Sequence, residues 1–259
     1  MLQTELDREN DGMDDQQGKV VLVTGGARRI GAEICRFLHA NEFDIAVHYR
    51  GSATDAAALV NELNTRRMNS ARAFPLDLKD TPRLAGLVDA CVAHFGRLDV
   101  LVNNASTFYE TPLSEVGESD WDELVGVNLK APLFLSKAAA DHLAANGGCI
   151  VNIADIHAER PLENHALYSV AKAGLVMLTR ALAVELGPAV RVNAVAPGAI
   201  LWPERGIGEG ERRNILARTA LERIGAPRDI ARAVLFLARD AGYTTGEILA
   251  VDGGRGLRC

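Results

Sequence analysis

This sequence predicts a doubly wound α/β fold, a mostly parallel seven-stranded sheet with helices on both faces, in a single domain. Three observations predict it. Short apolar runs alternate with longer stretches of helical spacing along the chain. The first apolar run opens directly into a glycine-rich loop, TGGARRIG at 24–31. The chain has 259 residues, 48% of them apolar, enough for one large core, and no linker-like stretch divides it.

The elements follow in order. VVLV (20–23) reads as the first strand and Arg29 to Ala40 as a helix. DIAVHY (44–49) is the second strand, with a helix from Thr54 to Arg66. ARAFPL (71–76) is the third, with a helix from Pro82 to Phe95. DVLV (99–102) is the fourth, followed by a loop and one long helix from about Ser119 to Leu143. CIVNI (149–153) is the fifth, followed by a helix ending at Leu186. VRVNAV (190–195) is the sixth. After an irregular stretch and a helix from Pro227 to Ala238, ILAV (248–251) is the seventh. Strands separated by helices imply parallel pairing through right-handed crossovers. The least regular part, Gly198 to Gly210, reads either as a lid over a ligand, extending to about residue 220, or as a plain surface loop. Residues 1–17 hold six acidic groups and few apolar ones, the composition of a disordered leader before a domain at 18–259.

Composition excludes several functions. A net charge of −6 and a pI near 5.6 argue against an electrostatic nucleic-acid binder. Four cysteines without a CxxC pair, and histidines without an HExxH pair, suggest no metal and no redox dithiol. Cysteines among apolar residues fit a reducing, cytoplasmic setting. No run approaches eighteen apolar residues, so no membrane span is expected.

A glycine loop alone is a weak signal. After the first strand of an alternating chain it points to a dinucleotide. Gly25 permits a tight turn, and the helix that follows, with Arg28, Arg29 and Ile30, faces the pyrophosphate. A basic side chain at a helix start opposes the helix dipole, so Arg29 calls for a reason such as nearby phosphates or a substrate mouth. The second strand ends in HYRGS (48–52), with no Asp or Glu to accept ribose hydroxyls. His48, Tyr49, Arg50 and Ser52 instead supply donors and positive charge, which with Arg28 suits the 2′-phosphate of NADPH. Asp77 and Leu78 end the third strand near the adenine. Asn104, Ala105 and Ser106 end the fourth and, with Pro197 and Gly198, pass along the cofactor.

Tyr168 and Lys172 lie four positions apart, on one helix face, about 6 Å along the axis. An ammonium beside a phenol favours the phenolate and makes a usable proton relay. The Lys can also bond the nicotinamide ribose. With the glycine loop, Asn128 and Pro197-Gly198 in the same order along the chain, this pattern resembles the short-chain dehydrogenase/reductase family from about Lys19 to Leu257. The resemblance implies the Rossmann sheet, a nicotinamide cofactor and a catalytic set of Asn128, Tyr168, Lys172 and a hydroxyl residue thirteen positions before the Tyr. That position holds Asp155. Arg29 stands where the family has a glycine, giving TGxxxRxG, and Ser106 replaces the glycine of NNAG. Together with HYRGSA (48–53), these departures are similar to the pteridine reductase subfamily, which uses NADPH.

A carboxylate cannot donate a hydrogen bond and repels a developing alkoxide. Asp155 therefore argues against simple ketone reduction and for a heterocyclic C=N bond whose nitrogen gains a proton from Tyr168. The other reading of Asp155 is a cap on the loop after the fifth strand. The resemblance implies that Phe108 stacks on the pterin, while Arg29 and Ser106 bond cofactor phosphates and pterin polar atoms. It also implies a homotetramer, with the C-terminal stretch 253–258 reaching a neighbour's site. Two rivals stay open: a ketone reductase acting on a 3-oxoacyl or sugar substrate, and a non-catalytic dinucleotide sensor.

Overall fold

The fold is given by a computed structural model, which describes residues 18–202 and 206–257. The acidic leader, residues 203–205 of the irregular stretch and the last two residues lie outside those described.

The strands are apolar because both faces of the sheet are covered. All four residues of β1 (Val20–Val23) are inaccessible. Val20 and Leu22 point into one core, with Leu101 and Ile150. Val21 and Val23 point into the other, with Ile45, Val47 and Val151. The same alternation of period two runs through β2 (Asp44–Tyr49), β4 (Val100–Asn103) and β5 (Cys149–Ile153). With β3 (Ala71–Pro75), β6 (Arg191–Pro197) and β7 (Ile248–Val251), the sheet has the order β3-β2-β1-β4-β5-β6-β7. Every pairing is parallel, which sharpens the expected mostly parallel sheet. Strand order reverses between β1 and β4, and there the strand ends open a crevice.

The helices α1 (Arg29–His39), α2 (Ala53–Arg66) and α3 (Leu84–Phe95) fall close to their expected positions. The single long helix expected at 119–143 is interrupted. α4 (Glu118–Val125) and α5 (Ala131–Ala145) are joined by a π-turn over Gly126–Lys130, closed by the Ala131 N–H on the Gly126 carbonyl. α6 (Ala166–Leu186) carries Tyr168 and Lys172. It is also long and apolar enough, by length and composition, to cross a membrane, although Lys172, Arg180 and Glu185 interrupt its apolar residues. Half of that stretch is buried inside the fold, as in a core helix.

One helix was not foreseen. α7 (Glu209–Ala217) lies in the stretch read as irregular and buries none of its residues. Without an apolar stripe, and with Gly206, Gly208 and Gly210 around its start, periodicity gave no signal. α8 (Pro227–Leu235) then packs Ile230, Ala231 and Val234 against the core that holds α1.

Candidate active site

Two adjoining cavities open at the strand ends. The smaller, about 330 Å³, is bounded by the glycine loop, Arg28, Arg50, Asp77 and Leu78. The larger, about 680 Å³, is bounded by Phe108, Asp155, Tyr168 and Lys172 and by residues of α7. Arg29, Ile30, Asn104 and Ser106 line both.

The glycine loop is held from three sides. Thr24, which sequence reasoning passed over, accepts the N–H groups of Asn104 at 2.9 Å and Ala105 at 3.0 Å on its buried hydroxyl. Asn104 donates its side-chain amide to the carbonyls of Thr24 and Gly25 at 2.8 and 3.2 Å. The Gly25 N–H donates to His48 Nδ1 at 3.1 Å, and His48 Nε2 lies 3.1 Å from the Leu76 carbonyl, where it donates. With one ring nitrogen accepting and the other donating, His48 is a neutral imidazole. Burial pushes its pKa down to about 4. His48 lines the smaller cavity as expected, but as a neutral ring that also holds the loop, so the expectation that it supplies positive charge is corrected.

Glycine is required within this loop. Gly25 has φ +59°, and a Cβ at Gly31 would lie 2.2 Å from the Gly25 carbonyl oxygen and 2.6 Å from Asn104 Nδ2. Arg29 also sits in the left-handed region, at φ +51°, where a side chain is strained. The glycine that its place would favour has been exchanged for a guanidinium facing both cavities.

Tyr49 and Ser52 do not join the cavity walls. Tyr49 has the same parity on β2 as Ile45 and Val47, so it packs on the core. Ser52 precedes α2, and its carbonyl accepts the Ala56 N–H. Arg50 and Arg28 do line the smaller cavity, each 3.8 Å from a carboxylate, Glu123 and Asp55 respectively. The donor set fits a nicotinamide dinucleotide. Arg28, Arg50 and Asp77 line the cavity beside the end of β2, and Arg29, Ile30 and Gly31 at the start of α1 line it as well.

In the larger cavity, the Tyr168 hydroxyl donates to Asp155 Oδ2 at 2.7 Å. Asp155 Oδ1 accepts the His157 N–H at 2.8 Å and so begins the 3-10 turn Ile156–Ala158. The two readings of Asp155, partner of the Tyr and loop cap, are therefore both realised, one on each oxygen. Tyr168 is 4% exposed, and its pKa is raised well above the usual value, first by burial and then by the charge and hydrogen bond of Asp155. Ser106 opposes this. Of the two opposing influences expected on the phenol, Asp155 prevails over Lys172: Lys172 Nζ donates to the Ile153 carbonyl at 2.8 Å and lies 5.7 Å from the phenol ring centroid. Burial lowers the Lys172 pKa to about 8, with Asp155 opposing.

Asn128 does not reach the cavity lining. It is 1% exposed, in the π-turn. Its amide donates to the carbonyls of Leu124 at 2.8 Å and Thr107 at 3.0 Å, and its oxygen accepts the Ser106 hydroxyl at 2.6 Å. It braces the 104–107 loop from behind.

Phe108 lines the cavity and is 55% exposed. One ring face is stacked on His165 at 4.6 Å and 17°, and Tyr168 meets it edge-on at 4.8 Å. His165 was not singled out from sequence. Pro197 and Gly198 also line the cavity, and a Cβ on Gly198 would lie 2.7 Å from Asp252. Arg255 lines this chain's own cavity.

A family model described as enoyl-(acyl carrier protein) reductase matches residues 25–255. Pteridine reductase 1 of Leishmania tarentolae is 37% identical over 281 aligned positions, covering 92% of this chain and 96% of that protein. The 3-oxoacyl-(acyl-carrier-protein) reductase FabG of Staphylococcus aureus is 35% identical, covering 91% and 97%. 3beta-hydroxysteroid dehydrogenase 1 of Eggerthella lenta is 34% identical, covering 94% and 96%. Relatives with such different substrates in their names lie within three percentage points, so overall similarity does not single out a substrate.

Proposed function

This chain belongs to the short-chain dehydrogenase/reductase family, and from that premise we propose that it reduces a pteridine (dihydrobiopterin, dihydromonapterin or dihydrofolate) with NADPH. The observation that carries the reading is the 2.7 Å hydrogen bond from Tyr168 to Asp155. A hydroxyl in place of Asp155 would donate to a carbonyl oxygen. This carboxylate accepts, and it suits a ring that presents N–H and NH₂ donors.

A nicotinamide dinucleotide held by the glycine loop, Arg28 and Arg50 would supply the hydride that the ring carbon of a C=N bond takes up. Tyr168, kept protonated by burial and Asp155, donates the proton that the ring nitrogen takes up. Asp155 orients the phenol and receives ring N–H groups. Lys172, anchored on Ile153, holds a positive charge 5.7 Å from the phenol ring centroid and would bond the ribose of the nicotinamide. Arg28 and Arg50 meet the 2′-phosphate, Arg29 the phosphates and the ring, and the open face of Phe108 stacks on the ring. His48, Thr24 and Asn128 position these groups from behind. A homotetramer in the cytoplasm completes the proposal, by analogy with the family.

The near-equal identity of the 3-oxoacyl reductase supports a second reading, reduction of a ketone. NADPH oxidation with dihydrobiopterin, dihydrofolate and acetoacetyl-CoA, each beside NADH, separates the two. Pterin turnover with NADPH is expected. Turnover of the ketone alone overturns the pteridine assignment, and preference for NADH overturns the role given to Arg28 and Arg50.

A further inference from the structure

Two of the guanidinium groups that line the smaller cavity already have carboxylate partners. Arg28 Nε lies 3.8 Å from Asp55 Oδ2, and Arg50 Nη1 lies 3.8 Å from Glu123 Oε1. Each pair bridges two elements. Arg28 reaches from the N-cap of α1 to the first turn of α2, and Arg50 from just beyond β2 to α4. Both arginines line the cavity and neither acid does.

The two acids differ in what else supports them. Asp55 stands in the first turn of α2, where the helix dipole stabilises a carboxylate whatever lies beside it. Glu123 stands in the last turn of α4 and has no such support. Asp120, three positions before it on the same face, adds a second negative charge. That carboxylate is taken by the Tyr109 hydroxyl at 3.2 Å and the Gly117 N–H at 2.9 Å. Among the described residues Arg50 is the one cation paired with Glu123. Val127, about one turn further along, lines the cavity, so Glu123 stands at its rim.

The Arg50–Glu123 pair is loose. At 3.8 Å it is too long for a hydrogen bond, and the two side chains are 54% and 33% exposed, so water screens the attraction. A better anion can break it. A phosphate monoester carries a charge of about −1.5 to −2 at neutral pH and three acceptor oxygens, and a guanidinium can meet it with two parallel hydrogen bonds. Arg50 gives up Glu123 to make them, and the released carboxylate then faces the phosphate as a like charge. A dinucleotide without that phosphate leaves the pair as it is.

We propose that Glu123 is a specificity-determining residue that acts against the 2′-phosphate: as the counter-ion of Arg50 it weakens NADPH binding, leaves NADH binding unchanged, and narrows the margin between the two. The inference rests on the NADPH reading above and deepens it. Calorimetric titration of NADPH, NADH and 2′,5′-ADP into the unaltered protein and into Glu123→Gln tests it without turnover. Glu123→Gln is expected to tighten NADPH and 2′,5′-ADP by about threefold, the scale of a part-exposed ion pair, with NADH changed by less than about 1.5-fold. The gain shrinks at high salt. In an Arg50→Gln background the same substitution is expected to change NADPH binding by less than about 1.5-fold, because the two effects share one contact. Weaker NADPH binding in Glu123→Gln overturns the proposal and makes the carboxylate a support for Arg50. An equal change for NADPH and NADH also overturns it, since Glu123 then acts on the shared part of the cofactor or on the fold. NADPH bound no more tightly than NADH, with Arg50→Gln affecting neither, overturns the NADPH reading and the proposal with it.

Discussion

Tyr168 and Asp155 share a proton donor and acceptor at 2.7 Å, and the other oxygen of the same carboxylate caps the turn after β5. The carboxylate therefore has two separable jobs. Asp155→Ser keeps a cap for the His157 N–H but removes the acceptor for the phenol. Its pterin kcat/KM is expected to fall about 100-fold, the scale of a displaced general acid, with a much smaller loss of thermal stability. Steady-state kinetics beside a melting curve checks this. Full pterin activity in that variant would sink the role given to Asp155.

Lys172 is 2% exposed and titrates at about 8 because burial disfavours its charge. Its folded-state pKa is depressed, so the ammonium persists below pH 8 and is lost above it. If the charge beneath the phenol matters, kcat/KM of the free enzyme falls on the alkaline side with an apparent pKa near 8. Lys172→Met is expected to abolish that limb and to lower kcat/KM by about 100-fold or more. A flat profile from pH 7 to 9 in the unaltered enzyme would count against it.

Much of this site was legible in the sequence because helical and strand periods fix which side chains meet. Four positions on a helix place Tyr168 and Lys172 together, and an apolar strand before TGG places the glycine loop at the carboxyl end of a strand inside the sheet. Roles were harder to read than places. His48 looks cationic in HYRGS, but burial makes it a neutral brace, and Tyr49 falls on the wrong side of the pleat. Asn128 is in the expected position yet its amide is spent on the 104–107 loop. α7 left no trace because its exposed face points into a cavity rather than a core, so polar residues occupy the stripe that periodicity seeks.

The His48 brace makes the cofactor loop acid-sensitive. Its pKa is near 4 when folded and 6.5 when unfolded, so above pH 6.5 both states are neutral. As pH falls below that, the unfolded chain binds a proton that the folded state refuses, and stability is lost until about pH 4. The loss from this one group amounts to roughly 2 kcal/mol between about pH 7 and about pH 5. Urea unfolding at those two values is expected to show a smaller difference for His48→Gln than for the unaltered protein. An identical difference would mean that the ring is not held neutral.

Arg29 carries backbone strain that a glycine would relieve. Arg29→Gly is expected to be more stable than Arg29→Ala by about 1 kcal/mol, since only the glycine accepts φ +51° without a Cβ penalty. Both variants lose the guanidinium shared by the two cavities, so both are expected to raise the KM for NADPH and for pterin. Calorimetric melting temperatures rank the two variants, and kinetics tests their shared defect. Equal stability of Gly and Ala would show that the left-handed conformation is not imposed there.

His165 covers one face of Phe108 at 4.6 Å, so a flat substrate can stack only on the other. The imidazole is itself fixed: Nδ1 lies 2.7 Å from the Glu163 carbonyl, to which it donates, and His165 is 7% exposed. Asn164, at φ +57°, turns the chain so that its carbonyl accepts the Thr111 N–H and locks the 108–111 loop to the start of α6. His165 thus positions Phe108 without touching the reacting atoms. Removing the support in His165→Ala lets the Phe108 ring turn, and the KM for a dihydropterin is expected to rise about fivefold, on the scale of one aromatic pair, with kcat changed less than twofold. His165→Phe restores a stacking partner and is expected to recover most of the KM. A loss in kcat equal to the loss in KM, unrescued by Phe, would place His165 in the chemistry rather than behind the stacking face.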